Sequence, residues 1–319
     1  MQLKFLFSSL LIPFFWNFSA QELPQQLPLE LSSTTYKNTI GFDGTHISKE
    51  EVLSHLEYLS SDELMGRRTG EPGNIVAKNY IVDYFETNGI DVKLQPFSFN
   101  RRNMDYNANN IIATIKGTEN PGQYIAITAH FDHVGVGRPI AGDSIYNGAD
   151  DNASGTAALM VMAKYFKENP PKNSLLFIAL DAEELGLQGA KYFVENKADK
   201  NILLNINMDM ISRNDNNEIY ICGTRFTPSL KKYFNSIPEN SLPIKVSLGH
   251  DGADGKDDWT RQSDHYHFYR NHIPFMYFGV EDHADYHKPG DEFSKIHPEF
   301  YFNVVRFITN TIADLDSKL

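Results

Sequence analysis

The sequence predicts an α/β fold, a single domain with a central mixed, mainly parallel β-sheet flanked by helices on both faces. Three observations predict it. From Asn110 onward, β-rich apolar runs alternate with stretches of helical periodicity, the order expected of strand–helix–strand units. The chain has 319 residues, 41% of them hydrophobic, enough for a substantial core. No internal repeat and no second composition regime divides it.

The N-terminal segment from Leu3 to Trp16 carries one positive charge, Lys4, and then a short apolar run; Ser19-Ala20 precede Gln21. This reads as a secretory signal over residues 1–20, too short for a good membrane span and followed by a small-residue cleavage site. Phe18 suits the third position before the cut poorly. A buried N-terminal helix or strand is the alternative, and it would make the protein cytoplasmic. Residues 21–47, rich in Pro, Gln and Ser without a clear period, read as a leader or linker that packs on the domain surface. The folded domain is expected over 48–319.

Ser48-Lys-Glu-Glu51 has capping-box spacing, and Val52, Leu53, Leu56 and Leu59 continue at helical intervals. A second helix is expected from Asn74 to Asn88, with Ile75, Tyr80, Ile81 and Phe85 as its apolar stripe and Asn88-Gly89 as its stop. Strands are expected at 111–115, 124–128, 175–180, 202–207, 219–222, 244–248 and 275–280. Helices are expected at 153–168, 188–196 and 298–319. Cys222, the one cysteine, falls in the strand Ile219-Tyr-Ile-Cys222 and reads as a core residue. It permits no intrachain disulfide and, lying far from the signal, no lipid anchor there. Together these features predict a soluble exported protein, periplasmic or secreted, with no stable membrane anchor. A formal net charge of −12 argues against nucleic acid or an anionic membrane as partner; the oligomeric state is not legible.

Five segments carry the chemistry: His130-Phe-Asp132, Gly148-Ala-Asp-Asp151-Asn152, Glu183-Glu184, Asp209 and His287. Imidazoles and carboxylates set among apolar or Gly-rich neighbours are the ligand chemistry of a two-metal hydrolytic site. His130, Glu183-Glu184 and Asp209 each follow a β run, where open α/β sheets bind their ligands. His130 and Asp132 share a side if the strand persists, so the carboxylate could hold the second ring nitrogen of a metal-bound His130. Taken alone, that pair is a capped strand end. Asp150 reads as the cap of the helix that follows. Glu183 and Glu184 leave the backbone in different directions, one toward a metal and the other toward the water that the metal acidifies. Asp209, between Met208 and Met210, needs a cation. His133, His265, His267 and His283 compete with His287 for its role.

Assembled, these segments resemble the exported di-zinc aminopeptidase family, whose relatives include bacterial leucine aminopeptidases, glutamate carboxypeptidases and glutaminyl cyclases. The resemblance runs from about Ser48 to the C-terminus. It rests on Ala129-His-Phe-Asp-His-Val-Gly135, Gly148-Ala-Asp-Asp-Asn-Ala-Ser-Gly155, Asp181-Ala-Glu-Glu-Leu-Gly186, Asn207-Met-Asp209, Ser263-Asp-His265 and Tyr286-His-Lys-Pro289. It implies two zinc ions bridged by Asp151, with Glu184 and His287 completing one site and His130 and Asp209 the other. It further implies Glu183 as general base, a metal-bridging hydroxide, an aminopeptidase acting on peptide substrates, and a cis peptide at Asp151-Asn152. The chain departs from some relatives in having no room for an inserted domain between Asp105 and Tyr124 and no disulfide near the pocket. Thr260, Tyr286 or a metal alone are the candidates to stabilise the oxyanion, while Asp264 and Asp291 read equally as contacts to ligands or substrate and as capping or turn residues. Three rivals stand beside the aminopeptidase: a one-zinc glutaminyl cyclase, a metal-stabilised binding protein, and a carboxypeptidase whose basic pocket would draw on Arg67-Arg68, Arg101-Arg102, Arg261 and Arg270.

Overall fold

Ser48 caps the first helix as its spacing predicts. In the computed structural model, which describes Leu27 and residues 47–238, 241–252 and 254–319, its Oγ accepts the Glu51 N–H at 3.1 Å and α1 runs Lys49–Leu59. The Glu51 carboxylate does not close the box. It binds Lys164 Nζ at 2.9 Å and the Tyr84 hydroxyl at 3.0 Å, tying α1 to two later helices. The expected signal, and all of the leader but Leu27 and Ile47, lie outside the described residues; both of these are buried against the main core.

The second helix, α2 (Pro72–Thr87), stops at Asn88-Gly89 with Gly89 at φ +65°. Its buried stripe is Ala77, Ile81 and Phe85, four residues apart; Ile75 lies off that face and is 49% exposed, contrary to the expected stripe. The chain continues through β1 (Asp91–Arg101), β2 (Met104–Ile115), β3 (Asn120–His130), β4 (Gly135–Ile140), β5 (Asp143–Tyr146), α3 (Gly155–Glu168), β6 (Asn173–Leu180), α4 (Gln188–Glu195), β7 (Asn201–Met208), β8 (Glu218–Cys222), α5 (Pro228–Phe234), β9 (Lys245–Leu248), α6 (His265–Arg270), β10 (Phe275–Gly279) and α7 (Pro298–Asp316). Every expected strand is present. β1, the small β4–β5 hairpin, α5 and α6 were not expected.

One sheet holds β1-β2-β6-β3-β7-β10-β8-β9. Its centre, β6-β3-β7-β10, is parallel, while β1, β2 and β8 run antiparallel to their inner neighbours. The centre is apolar on both faces because both are covered. Ile125, Ile127, Leu175, Phe177, Leu204 and Ile206 pack into the core shared with α1, α2, α3 and α7. The alternate residues Ala126, Leu176, Ile178 and Leu180 meet Ala190 and Phe193 of α4 and Phe268 of α6. Polar residues within β3 and β7 pair among themselves: Asn205 Nδ2 donates to Thr128 Oγ1 at 2.9 Å, and Thr128 donates to Asn207 Oδ1 at 2.6 Å. Cys222 is fully buried in β8. Among the described residues no helix is long and apolar enough to cross a membrane.

Arg67 is buried with its guanidinium spent on backbone carbonyls. Nε donates to Phe131 at 2.9 Å, one terminal nitrogen to Leu59 and to Asn147 at 2.6 Å, and the other to Gly148 at 3.0 Å. Burial lowers its pKa to about 10, with Asp151 and Asp291 opposing, so the cation persists at neutral pH. Replacing it leaves several buried carbonyls without donors. Arg67→Met is therefore expected to lose about 3 kcal/mol or more of stability, read as a lower urea midpoint; a wild-type midpoint would show that these bonds contribute little.

Candidate metal centre

The parallel strands end at one height. Register sets His130 beside Leu180, Thr128 beside Asn207 and Phe278 beside Met208, so His130, Asp181–Glu184, Asp209 and the loop after β10 emerge along one sheet edge. Asp151 reaches that edge from the turn before α3, and the Asp151-Asn152 peptide is cis, as the resemblance implies. Both oxygens of Asp291 hold this turn, accepting the Asp150 and Asp151 N–H groups at 3.0 Å. Asp150 is not the cap expected of it. Its Oδ1 accepts from Ser212 N at 2.7 Å and Oγ at 2.8 Å, whereas Asn152 Oδ1 accepts the Gly155 N–H at 2.9 Å. At Gly148, φ +58°, a Cβ would stand 2.2 Å from the Asp151 carbonyl oxygen and 2.5 Å from the His133 ring.

All five candidate ligands meet here. His130 Nε2 lies 3.3 Å from Asp209 Oδ1 and 3.4 Å from Asp151 Oδ1; His287 Nε2 lies 3.1 Å from Asp151 Oδ2 and 3.2 Å from Glu184 Oε1. Donors on one tetrahedral zinc sit about 3.3 Å apart when each bond is about 2.05 Å. Asp151 thus faces two sets through its two oxygens. The Glu183 carboxylate falls with the first set, within 4.8 Å of the donor atoms of His130 and Asp209, and Glu184 with the second. The two acids diverge as their adjacency predicts.

The electrostatics call for a cation. Burial pushes the Glu183 carboxyl well above the usual range, His130 opposing while Glu184, Asp209 and Asp264 add to it. Burial and Asp151 likewise raise Glu184, but the imidazoles of His133 and His287 outweigh them and hold it at about 2. Asp264 is fully buried, both oxygens lack a hydrogen bond, and burial raises it to about 7. Glu184 Oε1 is also buried without a hydrogen bond. Nitrogen and oxygen donors left unpaired around one point fit a divalent ion such as zinc.

Asp132 acts differently from its expected role. His130 Nδ1 lies 3.1 Å from the Asp132 backbone carbonyl, and the carboxylate is farther, at 3.8 Å. That carboxylate instead accepts the backbone N–H of Glu183 at 3.0 Å and of Glu184 at 3.3 Å, fixing the turn that aims both acids. The Thr69 hydroxyl sits 3.2 Å from it and 2.9 Å from Asp181. Thr69 escaped the sequence reading, and Asp181 entered it only as part of the Asp181–Gly186 motif with no role, because nothing local marks a support that is assembled across the fold.

Of the competing histidines, His133 alone joins the set; sequence reading left it unassigned. His265 is buried against Phe275 with Nε2 2.9 Å from the Trp259 carbonyl, and burial lowers it to about 3. His283 Nε2 lies 3.4 Å from Asp150. His267 packs beside Arg270 and Lys191, away from the ligands, lowered to about 4 mainly by burial. A pocket of about 250 Å³ opens on the centre, lined among others by Met210, Trp259, Gln262, Tyr277, Asp282 and Tyr286. Tyr286 is thus at hand for an oxyanion, whereas Thr260 is buried outside the lining. None of the candidate arginines is in this lining: Arg67 is internal, Arg261 and Arg270 are exposed, and Arg68, Arg101 and Arg102 line an adjoining hollow that includes the candidate ligand Glu184, whose carbonyl accepts from Arg101 at 2.8 Å.

Residues 110–312 match peptidase family M28, and the chain belongs to that family. It is 30% identical over 162 residues to aminopeptidase YwaD of Bacillus subtilis strain 168, a match covering 49% of this chain and 30% of that protein. It is also 30% identical over 151 residues to a probable zinc metalloprotease of Pyrenophora tritici-repentis, covering 46% and 34%. The chain therefore spans only about a third of the length of these curated relatives. Among solved structures, a zinc aminopeptidase from Bacillus subtilis shares the fold with a TM-score of 0.67 at 17% identity, over 84% of this chain and 95% of that one.

Because the two N–H groups bond to different oxygens of Asp132 and an amide would set its own NH2 against one of them, Asp132→Asn is expected to loosen the 183–184 turn and weaken zinc binding by about 10- to 100-fold. Zinc titration of the purified variant checks this, and unchanged affinity would remove the supporting role.

Proposed function

We propose that the chain is a zinc-dependent aminopeptidase that hydrolyses the N-terminal bond of peptides. Two zinc ions would be held by His130, Asp209 and Asp151 on one side and by Asp151, Glu184 and His287 on the other. The carrying observation is the spacing of these donors about the two oxygens of Asp151. Bound there, zinc supplies an acidified water and polarisation of the scissile carbonyl.

Glu183 is the general base in this reading. It sits beside the His130 set without being needed to complete it, and the Asp132 anchor on its N–H fixes its direction. It takes a proton from water and returns it to the leaving amine. The pocket favours the amino end of a peptide: Asp151, Glu183, Asp209 and Asp282 are in its lining, and no Lys or Arg is. With Asp151 and Asp209 spent on zinc, Glu183 and Asp282 remain to favour an ammonium, and no Lys or Arg in the lining offers a partner to a substrate carboxylate, which weighs against the carboxypeptidase. A retained base beside the donors weighs against a purely structural metal site. The same reading takes residues 1–20 as an export signal, 21–47 as leader and 48–319 as the catalytic domain, with the enzyme periplasmic or secreted.

Glu183→Gln is expected to keep metal and fold while kcat falls roughly 100- to 10,000-fold; near-normal turnover would sink the assignment, and loss of metal would exchange Glu183 with Glu184. A free tripeptide should be cleaved far faster than its N-acetyl form and about as fast as its C-terminal amide. Equal cleavage of free and acetylated peptide would end the aminopeptidase reading. Elemental analysis should find two zinc ions per chain, and one tightly held ion with ammonia release from N-terminal glutamine would favour the cyclase.

A further inference from the structure

We propose that His133 is a fourth protein ligand to the ion held by Asp151, Glu184 and His287, making the two metal positions unequal. This rests on the metal-centre reading above. The His133 side chain has no solvent exposure, and neither ring nitrogen makes a hydrogen bond. Nδ1 nevertheless stands 2.8 Å from Glu184 Oε1 and 3.7 Å from Asp151 Oδ2, the same two oxygens that His287 faces. Those distances bracket the spacing of neighbouring donors around zinc.

The two rings can share one ion. An imidazole bound at about 2.1 Å has its ring centre about 3.2 Å from the metal, so two on one ion have centres at most about 6.4 Å apart. The centres of His133 and His287 are 5.7 Å apart. A ring packed only for volume would leave Nδ1 buried against carboxylate oxygens without a hydrogen bond, a costly arrangement that a cation shared with those oxygens relieves. Gly148 supports the placement, since any side chain there would collide with this ring.

The ion on the Glu184 side then has four protein ligands, as in closed structural sites, and the ion on the His130 side keeps three and an open position. The Glu184-side ion should leave last.

The test is dialysis of the zinc-loaded full chain against graded chelator, with zinc per protein measured at each step. Wild type should lose one equivalent early and hold the second; His133→Ser should lose both early, the retained ion weakened at least about tenfold. His133→Gln keeps an N–H for Glu184 without the imidazole. Behaviour like the Ser variant supports ligation, and wild-type retention in either variant overturns it in favour of a ring that only positions Glu184. Should the variants not fold, a crystal structure of the zinc-loaded wild type decides: Nδ1 within about 2.3 Å of zinc supports the proposal and a separation beyond about 3 Å overturns it. Wild type that binds no zinc overturns the metal-centre reading itself. Two ions that leave together from wild type overturn only this inference.

Discussion

The Arg67 guanidinium is the tie on which the carboxyl edge of the sheet depends. One buried cation gathers carbonyls from the end of α1, from the residue after His130 and from the pair ahead of the Asp151 turn. These segments are far apart in sequence, and two of them adjoin donors of the candidate centre: Phe131 follows His130, and Asn147-Gly148 precede the Asp151 turn. A hydrocarbon could fill the volume but could not satisfy carbonyls pointing inward from several directions. Its positive charge also lies within the field of Asp151, Asp291, Asp132 and Glu184. It thus offsets part of the negative charge concentrated there before any ion binds.

Support for the centre comes mostly from carboxylates that accept backbone N–H groups. Asp291 fixes the Asp151 turn, Asp132 fixes the Glu183–Glu184 turn, and Asp150 fixes Ser212 just past Asp209. In each case a charged acceptor immobilises main chain, and the main chain in turn aims a side chain. Backbone donors are better anchors than flexible side chains because their position is set by the fold. Acids that read in sequence as a surplus of negative charge thus divide between candidate ligands and their supports.

The central strands were legible because burial on both faces makes them nearly continuous apolar runs, from Tyr124 to Thr128 and from Leu175 to Leu180. β1 was not, because most of it faces solvent and Pro96 interrupts it. His130, Glu183-Glu184 and Asp209 were legible as acids and a histidine following β runs, whereas Asp151 and His287 were singled out by the motifs around them. What the strand-end pattern left open was which neighbour does what. Whether Asp132 meets an imidazole or two amides depends on a turn fifty residues away, and Asn152 rather than Asp150 caps α3 because Ser212 claims the aspartate. The resemblance singled out His287; that His133 reaches the same two oxygens is revealed only by assembly.

The outermost strands have a bearing on self-association. β1 presents Pro96, which offers no N–H, along with Asp91 and Lys93, while β9 at the other margin is short and begins with Lys245. Prolines, charges and brevity are what keep an open margin from accepting a strand of a second molecule. Among the described residues neither margin of this sheet is suited to accept a further strand, which sets the open edges against a ladder shared between copies.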